Sequence, residues 1–296
     1  MPTKAQRADS MLLVVAIIWG AGFVAQKQAM EHIGPLLFTA IRFAIGALVL
    51  IPLIRNTKAL GNEWRAGVIL GLVMFAAATL QQIGLVSTTA SRAGFITGLY
   101  VLIVPIVGLF FGHRFHRGHI AGAILAAIGL YLLSGDLSGK AHTGDFFVMG
   151  CAILWAIHVS LVGHLAPKAE PIRLALSQFI TVALLASIIT PFFEPVSISA
   201  IMAIKLAILY SGILAIGLAF SLQVIAQRDA PPTHAAILMS LEALFAAITG
   251  WLILGEHLSP KELTGCSLML AGMFISQLWT RKKTLEERAI AMDPVR

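Results

Sequence analysis

The stretch AIIW at residues 16–19 returns as AILW at residues 152–155, 136 positions later. The same offset aligns Phe43 with Phe179. Matches that share one offset across an apolar chain indicate an internal duplication. The sequence therefore predicts two copies of one structural unit, and the remaining matches define where each copy ends.

The offset between the copies grows slightly along the chain. LQQI at residues 80–83 aligns with LQVI at residues 222–225 when the offset is 142. At an offset of 143, three glycine pairs align: Gly112 with Gly255, Gly122 with Gly265, and Gly129 with Gly272. We therefore predict a first repeat over residues 11–135 and a second over residues 145–280, flanked by a cytoplasmic segment at 1–10 and a cytoplasmic tail at 281–296.

The composition indicates a membrane protein. Of 296 residues, 58% are hydrophobic and only 12% are charged, and the mean hydropathy is +0.89; soluble domains carry about 25% charged residues. Apolar runs of about 20 residues recur, each long enough to cross the hydrocarbon layer as a helix. Continuous rather than alternating runs favour helices over a barrel. We predict an all-α polytopic membrane protein.

Polar or Pro/Gly-rich breaks divide the apolar sequence into ten predicted transmembrane helices. Five spans in each copy is an odd number, so consecutive copies must lie in opposite orientations. The predicted spans are 11–31, 35–54, 66–86, 93–111, 119–135, 145–164, 173–192, 203–227, 234–254 and 262–280.

The basic residues predict the orientation, because cytoplasmic loops are enriched in Lys and Arg. With the N-terminus inside, fifteen Lys and Arg residues fall on the inner side and four on the outer side; Lys27 and Arg42 lie within spans. Both termini are therefore predicted inside the cytoplasmic membrane. The net charge of +7 resides in these short loops, so we predict no nucleic-acid partner.

Inverted repeats are typical of secondary transporters, which hold substrate near the membrane midplane between the halves. A duplicated scaffold or sensor without transport activity is an alternative interpretation. A cleaved signal peptide is a second alternative for the first span, but a span that belongs to a repeat is expected to remain.

Three stretches resemble EamA-type transporters of the drug/metabolite transporter superfamily. They are Trp19–Pro52, Thr88–Gly112 and Pro231–Glu256, similar to the family's first two, fourth and ninth helices. The Gly-Glu pair that often closes the fourth helix is Gly112-His113 here, whereas the ninth helix keeps Gly255-Glu256. The resemblance implies ten spans and a small organic solute as substrate.

Charged residues within spans are functional candidates, because they are costly in hydrocarbon. Lys27 leans toward the bilayer centre, since helical side chains lean toward the helix N-terminus; snorkelling to the interface is the alternative. Arg42 is predicted at a similar depth, and the two cations would form an anion-attracting vestibule. Alternatively, Arg42 would cap helix-end carbonyls or reach lipid headgroups.

Glu242 and His158 are the two candidates for proton coupling, because both lie near the middle of a predicted span. A lone carboxyl group at that depth is expected to be neutral or paired. Structural hydrogen bonding is the alternative role for each. Further polar and aromatic side chains share helix faces and are predicted to bind substrate; they are Trp19, Phe23, Gln26, Phe75, Thr79, Gln82, Thr97, Tyr100, Trp155, Tyr210 and Ser221.

We therefore predict alternating-access transport of amino acids or related solutes, favouring export, by a monomer or homodimer. We predict no cofactor: no Gly-x-x-x-x-Gly-Lys-Ser/Thr motif for ATP occurs. An intramembrane enzyme is the rival, but no His-Glu-x-x-His or Gly-x-Ser-x-Gly motif is present. No metal site is predicted, because Cys151 and Cys266 both fall inside apolar spans.

Overall fold

The computed structural model describes residues 3–54, 62–88, 90–111, 117–133, 143–254, 259–261, 263–275 and 279. These residues are almost entirely helical and contain no β-strand, which confirms the all-α prediction. The predicted tail 281–296 lies outside the described residues, as do the ends of the predicted spans 119–135 and 262–280.

The part of the chain that the structure describes contains fourteen α-helices, one π-helix and two short 3₁₀ helices, Ile51–Leu53 and Ala166–Lys168. In the first repeat they are α1 Lys4–Met30, α2 Pro35–Leu50, α3 Asn62–Ser87, α4 Ala90–Gly98, α5 Tyr100–Phe110 and α6 Arg117–Leu133. In the second repeat they are α7 Thr143–Leu165, α8 Pro171–Phe193, α9 Ile198–Ala203, α10 Lys205–Leu209, the π-helix Tyr210–Phe220, α11 Ser221–Ala226, α12 Pro232–Met239, α13 Glu242–Leu254 and α14 Leu263–Ile275.

Eight helical segments among the described residues are long and apolar enough to cross a membrane. They are Lys4–Met30, Pro35–Leu53, Glu63–Ser87, Ala93–Phe110, Thr143–Lys168, Pro171–Phe193, Lys205–Ala226 and Pro232–Thr249. Two shorter apolar helices, Ile120–Gly129 and Leu263–Ile275, coincide with the fifth and tenth predicted spans. The chain is therefore a multi-pass membrane protein.

The first helix begins earlier than its apolar run. Thr3 forms a capping box with Gln6, in which the backbone N–H of Gln6 donates to Thr3 Oγ1 (3.2 Å) and that of Thr3 donates to Gln6 Oε1 (2.9 Å). A capping box satisfies backbone donors at a helix start. The polar residues before the predicted span 11–31 therefore continue the same helix.

The helices of the two repeats interleave. α3 packs against both α7 and α8, α2 packs against α8 and the π-helix, and α1 packs against α13 and the π-helix. Each of these interfaces joins a helix of the first repeat to one of the second. The middle of the molecule is therefore shared between both halves.

Glycines bring two helix pairs into close contact. A Cβ atom on Gly20 of α1 would lie 2.7 Å from Phe245 Cβ and 2.9 Å from the Ala246 nitrogen, so only glycine fits against α13. Between α6 and α14, a Cβ on Gly129 would lie 2.6 Å from the Gly265 oxygen, and one on Gly272 would lie 2.6 Å from the Gly122 oxygen. Small residues allow this approach in membrane helices.

The start of α2 is capped by the other half of the chain. The backbone N–H groups of Leu36 and Leu37 each donate to a carboxylate oxygen of Glu194 at 2.8 Å. Gly34 makes room, because a Cβ there would collide with that carboxylate. The residue that corresponds to Gly34 at the 136-residue offset is Glu170, which caps α8 with its own side chain.

Candidate functional site

Two spans are broken near their middle. α4 ends at Gly98 and α5 begins at Tyr100; the N–H of Leu99 bonds to the Ile96 oxygen (3.2 Å) in a tight turn. Pro105 removes a helical hydrogen bond to the Val101 oxygen, inside α5. It does not account for the turn at Leu99, and one continuous span, 93–111, was predicted.

The second break separates α12 from α13. The N–H of Leu241 bonds to the Leu238 oxygen (3.2 Å), and Ser240 Oγ donates to the Ile237 oxygen (2.9 Å). Glu242 is the first residue after the break. At an offset of 143, the turn residues Ser240 and Leu241 correspond to Thr97 and Gly98, directly before the turn at Leu99, so the two breaks fall within two residues of equivalent positions.

A narrow cavity of about 50 Å³ lies between the two breaks, with Thr97, Tyr100 and Glu242 in its lining. Ligand pockets in proteins range over ~300–1,000 Å³, so an organic solute would enter only with a widening of this cavity. Eight of the fifteen predicted site residues line it: Trp19, Phe23, Gln26, Arg42, Thr97, Tyr100, Trp155 and Glu242. Helices from both halves of the chain contribute to this lining.

An aromatic cluster centred on Phe220 forms one wall of the cavity. Its ring centroid lies 4.5 Å from that of Trp19, 5.5 Å from Trp155, 6.4 Å from Phe43 and 6.3 Å from Phe179. The four surrounding residues are the pairs aligned by the 136-residue offset. The internal sequence match therefore marks the centre of the molecule.

A buried polar network holds Arg42 in the lining of the cavity, beside the aromatic cluster. Arg42 Nη1 donates to Gln26 Oε1 (3.0 Å), and Gln82 Nε2 donates to the same oxygen (2.6 Å). The guanidinium carbon lies 5.1 Å from the centroid of Phe38 and 5.3 Å from that of Phe43, within cation–π range. Gln82 therefore supports the lining without being part of it.

Glu242 is a buried carboxyl group without a partner in the part of the chain that the structure describes: only 4% of the residue is exposed, and it forms no hydrogen bond or ion pair there. The hydroxyl of Tyr100, from the other break, is likewise buried without a described hydrogen-bond partner. Buried polar groups are normally paired. Unpaired groups around one cavity indicate a place for a polar ligand.

The π-helix is tied to α1 by two reciprocal hydrogen bonds. Trp19 Nε1 donates to the Ala215 oxygen (3.0 Å), and Tyr210 Oη donates to the Ile18 oxygen (2.7 Å). π-helical turns are rare and frequently occur at functional sites. Tyr210 therefore supports the cavity from behind, whereas Trp19 both lines it and orients the π-helix.

Lys27 lies elsewhere. Its ammonium group donates to the backbone oxygens of Leu85 (2.7 Å) and Thr88 (3.1 Å) at the C-terminal end of α3. These carbonyls have no partner within their own helix, and a cation is favoured there. Lys27 is not among the residues that line the cavity; in this structure its ammonium group contacts the end of α3 rather than lying with Arg42 in the cavity lining.

We expect Lys27→Met to lower the stability of the protein by about 1 kcal/mol, the usual contribution of a hydrogen bond, and to accelerate hydrogen exchange in the last turn of α3. The half-saturation concentration of the transported solute should stay within about twofold of wild type. Lys205→Met is the matched control, because Lys205 is exposed at the start of α10. A large rise in the half-saturation concentration of Lys27→Met with an unchanged melting temperature would show that Lys27 takes part in substrate binding.

Four other predicted residues also lie outside the lining. His158 is fully buried behind Trp155, and its Nε2 lies 2.9 Å from Gln178 Oε1. Ser221 donates to the Gly217 oxygen of the preceding turn (2.6 Å). Phe75 packs against the hydrophobic core, and Thr79 is partly buried on the same helix. Shared helix faces in the sequence thus did not distinguish cavity from helix–helix contact.

Seven lining residues were missed by the sequence reasoning. One signal could have identified two of them: the LQQI and LQVI match pairs Gln81 with Gln223, and both line the cavity. Phe43 was visible as a repeat match but was not assigned to the site. The missed residues are Phe43, Gln81, Val159, Ala215, Ile216, Phe220 and Gln223.

The described residues contain no group of three or more His, Cys, Asp or Glu side chains that could hold a metal ion. Cys151 and Cys266 are both buried and free. The described lining offers one guanidinium group, one carboxyl group, amides and aromatic rings, which are groups that bind small polar molecules.

Comparison with protein families matches residues 6–135 and, separately, residues 142–278 to the EamA-like transporter family. The chain belongs to this family. An uncharacterized transporter of Archaeoglobus fulgidus is 31% identical over 92% of this chain and 86% of its own length. This EamA-like chain therefore belongs with transporters rather than with enzymes.

The threonine/homoserine exporter RhtA of Escherichia coli K12 is 25% identical to this EamA-like protein, over 93% of this chain and 92% of its own. A solved crystal structure superposes with a TM-score of 0.77 and 20% identity, covering 93% of this chain and 98% of the other. At that identity the likeness shows a shared fold.

Proposed function

We propose that this EamA-like protein is a secondary transporter that moves amino acids or related small metabolites, in the export direction, across the cytoplasmic membrane by alternating access. One observation carries the proposal: a narrow cavity lined by both halves of the chain lies between two helix breaks at nearly equivalent positions of the repeats. In known secondary transporters, interrupted helices at corresponding positions of the two halves form the substrate site.

The proposal includes ten spans in two inverted five-helix halves, over residues 11–135 and 145–280. The α6–α14 interface supports inversion. Gly122 corresponds to Gly265 and Gly129 to Gly272, yet Gly122 meets Gly272 and Gly129 meets Gly265. Such an exchanged contact is the mark of a two-fold interface. Equivalent helices thus run antiparallel, as expected of copies with opposite membrane orientation.

The orientation and the direction of transport rest on separate arguments. The excess of Lys and Arg in alternate loops supports placing both termini in the cytoplasm. The name of the relative RhtA supports amino acids as solutes and export as the direction. The aromatic wall beside buried amides and charges suits a small amphipathic solute.

Glu242 is the proposed proton carrier. It is a titratable group at a helix break and lines the cavity, where a proton and the solute are both within reach of it. His158 lies behind the cavity wall and contacts Gln178; we propose for it a role in holding Trp155, with which it makes an edge-to-face contact at 5.4 Å. Proton exchange at Glu242 would couple export to the inward proton gradient.

Counterflow into proteoliposomes tests the proposed function. Vesicles with the purified protein are loaded with unlabelled neutral amino acids and diluted into medium with the same labelled compounds, beside protein-free vesicles. We expect transient, saturable accumulation of label only with protein. Non-saturable flux would indicate a channel, and chemical conversion of the compound would indicate an enzyme. Absence of counterflow across amino acids, amines and organic acids would contradict the proposal.

A further inference from the structure

We infer that the cavity binds its ligand as a zwitterion, with the ligand's carboxylate at Arg42 and its ammonium group at Glu242; this inference rests on the proposed transport function. Arg42 and Glu242 are each 4% exposed and line the same cavity. They form no ion pair with each other or with another residue of the described chain. Buried charged side chains are normally paired, so the unpaired Arg42 and Glu242 favour a ligand that carries both a negative and a positive group.

The Arg42 side chain is held ready for a carboxylate. One of its terminal nitrogens is engaged by Gln26 (3.0 Å), and two aromatic rings flank the guanidinium group. Its Nε atom has no hydrogen-bond partner among the described residues. A guanidinium group carries five N–H donors in a planar fork that fits a carboxylate. Unused donors on a fixed fork therefore favour an anionic ligand group at this end.

Glu242 lines the same cavity as Arg42. It stands in the first turn of α13, directly after the helix break. An ionised carboxylate is favoured at a helix N-terminus and would attract a ligand ammonium group. The rings of Trp19 and Trp155 line the same cavity, and the faces of aromatic rings attract cations and accommodate apolar side chains.

A ligand with a single charge would satisfy only one end. An organic acid bound at Arg42 would leave the carboxyl group of Glu242 unpaired, and an amine bound at Glu242 would leave Arg42 unpaired. Leaving a buried polar group without a partner costs more free energy than a typical hydrogen bond contributes. A dicarboxylate would bring a second negative charge toward Glu242. An α-amino acid with a neutral side chain pairs both groups at once.

Matched ligand series on the wild-type protein test this inference without any substitution. Binding of L-leucine, 4-methylpentanoate and 3-methylbutylamine to the full chain in detergent micelles is measured by isothermal titration calorimetry. L-Threonine, 3-hydroxybutanoate and 1-amino-2-propanol form a second series. We expect at least one amino acid to bind about tenfold or more tightly than both of its singly charged analogues.

Two substitutions assign the ends of the site. Arg42→Gln should remove the advantage of the amino acid over its amine while keeping that over its acid analogue, and Glu242→Gln should do the reverse. Arg65→Gln and Glu31→Gln are the controls, because both residues are exposed and outside the cavity lining. A general loss of structure would weaken all three ligands together and leave their affinity ratios unchanged.

The inference is overturned if either analogue binds as tightly as its amino acid in both series, if no amino acid binds, or if the two variants change the ratios alike. These outcomes differ from failure of the proposed function. Counterflow of an amine or an organic acid would keep the transporter and reject the two-ended site, whereas absence of counterflow for all three classes would reject transport itself.

Discussion

We expect proteoliposomes with Glu242→Gln to lose pH-gradient-driven solute accumulation by about tenfold or more. Glutamine has nearly the same shape as glutamate but cannot bind and release a proton. The carboxyl group lies unpaired at the cavity, so no neighbouring acid is placed to replace it. The measurement is uptake or efflux of a counterflow-positive solute, with and without an imposed pH gradient.

Stability provides the control for this variant. A buried amide costs less to remove from water than an unpaired carboxylate, so the melting temperature of Glu242→Gln should equal or exceed that of wild type. Glu31→Gln, an exposed position at the end of α1, should retain full coupling. Unchanged pH-driven transport in Glu242→Gln would remove Glu242 from the proton pathway.

Gly20→Ala is expected to lower both stability and transport. A Cβ at this position would overlap backbone atoms of α13, including the carbonyl oxygen of Glu242. Overpacking of this kind costs about 1–3 kcal/mol. Because α13 must move away, Glu242 would move with it. We expect a lower melting temperature and a reduced maximal transport rate.

Gly22→Ala separates packing from helix propensity. Both glycines are buried in α1, but a Cβ at Gly22 would lie 3.5 Å from Tyr210 and 3.7 Å from Gln26, which are ordinary contacts. Alanine favours a helix over glycine by about 1 kcal/mol, so Gly22→Ala should be neutral or stabilising. Equal melting temperatures for the two variants would show that α1 and α13 do not pack closely.

The sequence predicted the helical class and the membrane setting, because both follow from long apolar runs. It also identified Arg42 and Glu242, since charges in such runs are rare and both line the cavity. The positions of the repeat matches carried more information than was used: Phe43 and the Gln81–Gln223 pair were visible from the alignment of the copies.

The features that the sequence did not predict depend on tertiary contacts. Lys27 was predicted to face the cavity from the lean of its side chain, but the carbonyls at the end of α3 are closer partners. No proline or glycine marks the break before Glu242, and nothing local in Tyr210–Phe220 distinguishes a π-helix from an α-helix. Such features arise where another helix supplies the compensating hydrogen bonds, as Trp19 does for Ala215.

The cap that Glu194 supplies to α2 also bears on how the chain is made. The first two free N–H groups of α2 donate to a carboxylate that lies more than 150 residues downstream in the sequence. During synthesis the ribosome must therefore complete α8 before the entry of α2 is satisfied, whereas α8 carries Glu170 and is capped as it emerges. If residues 1–135 were expressed alone, these two N–H groups would have to bond to water or another acceptor instead.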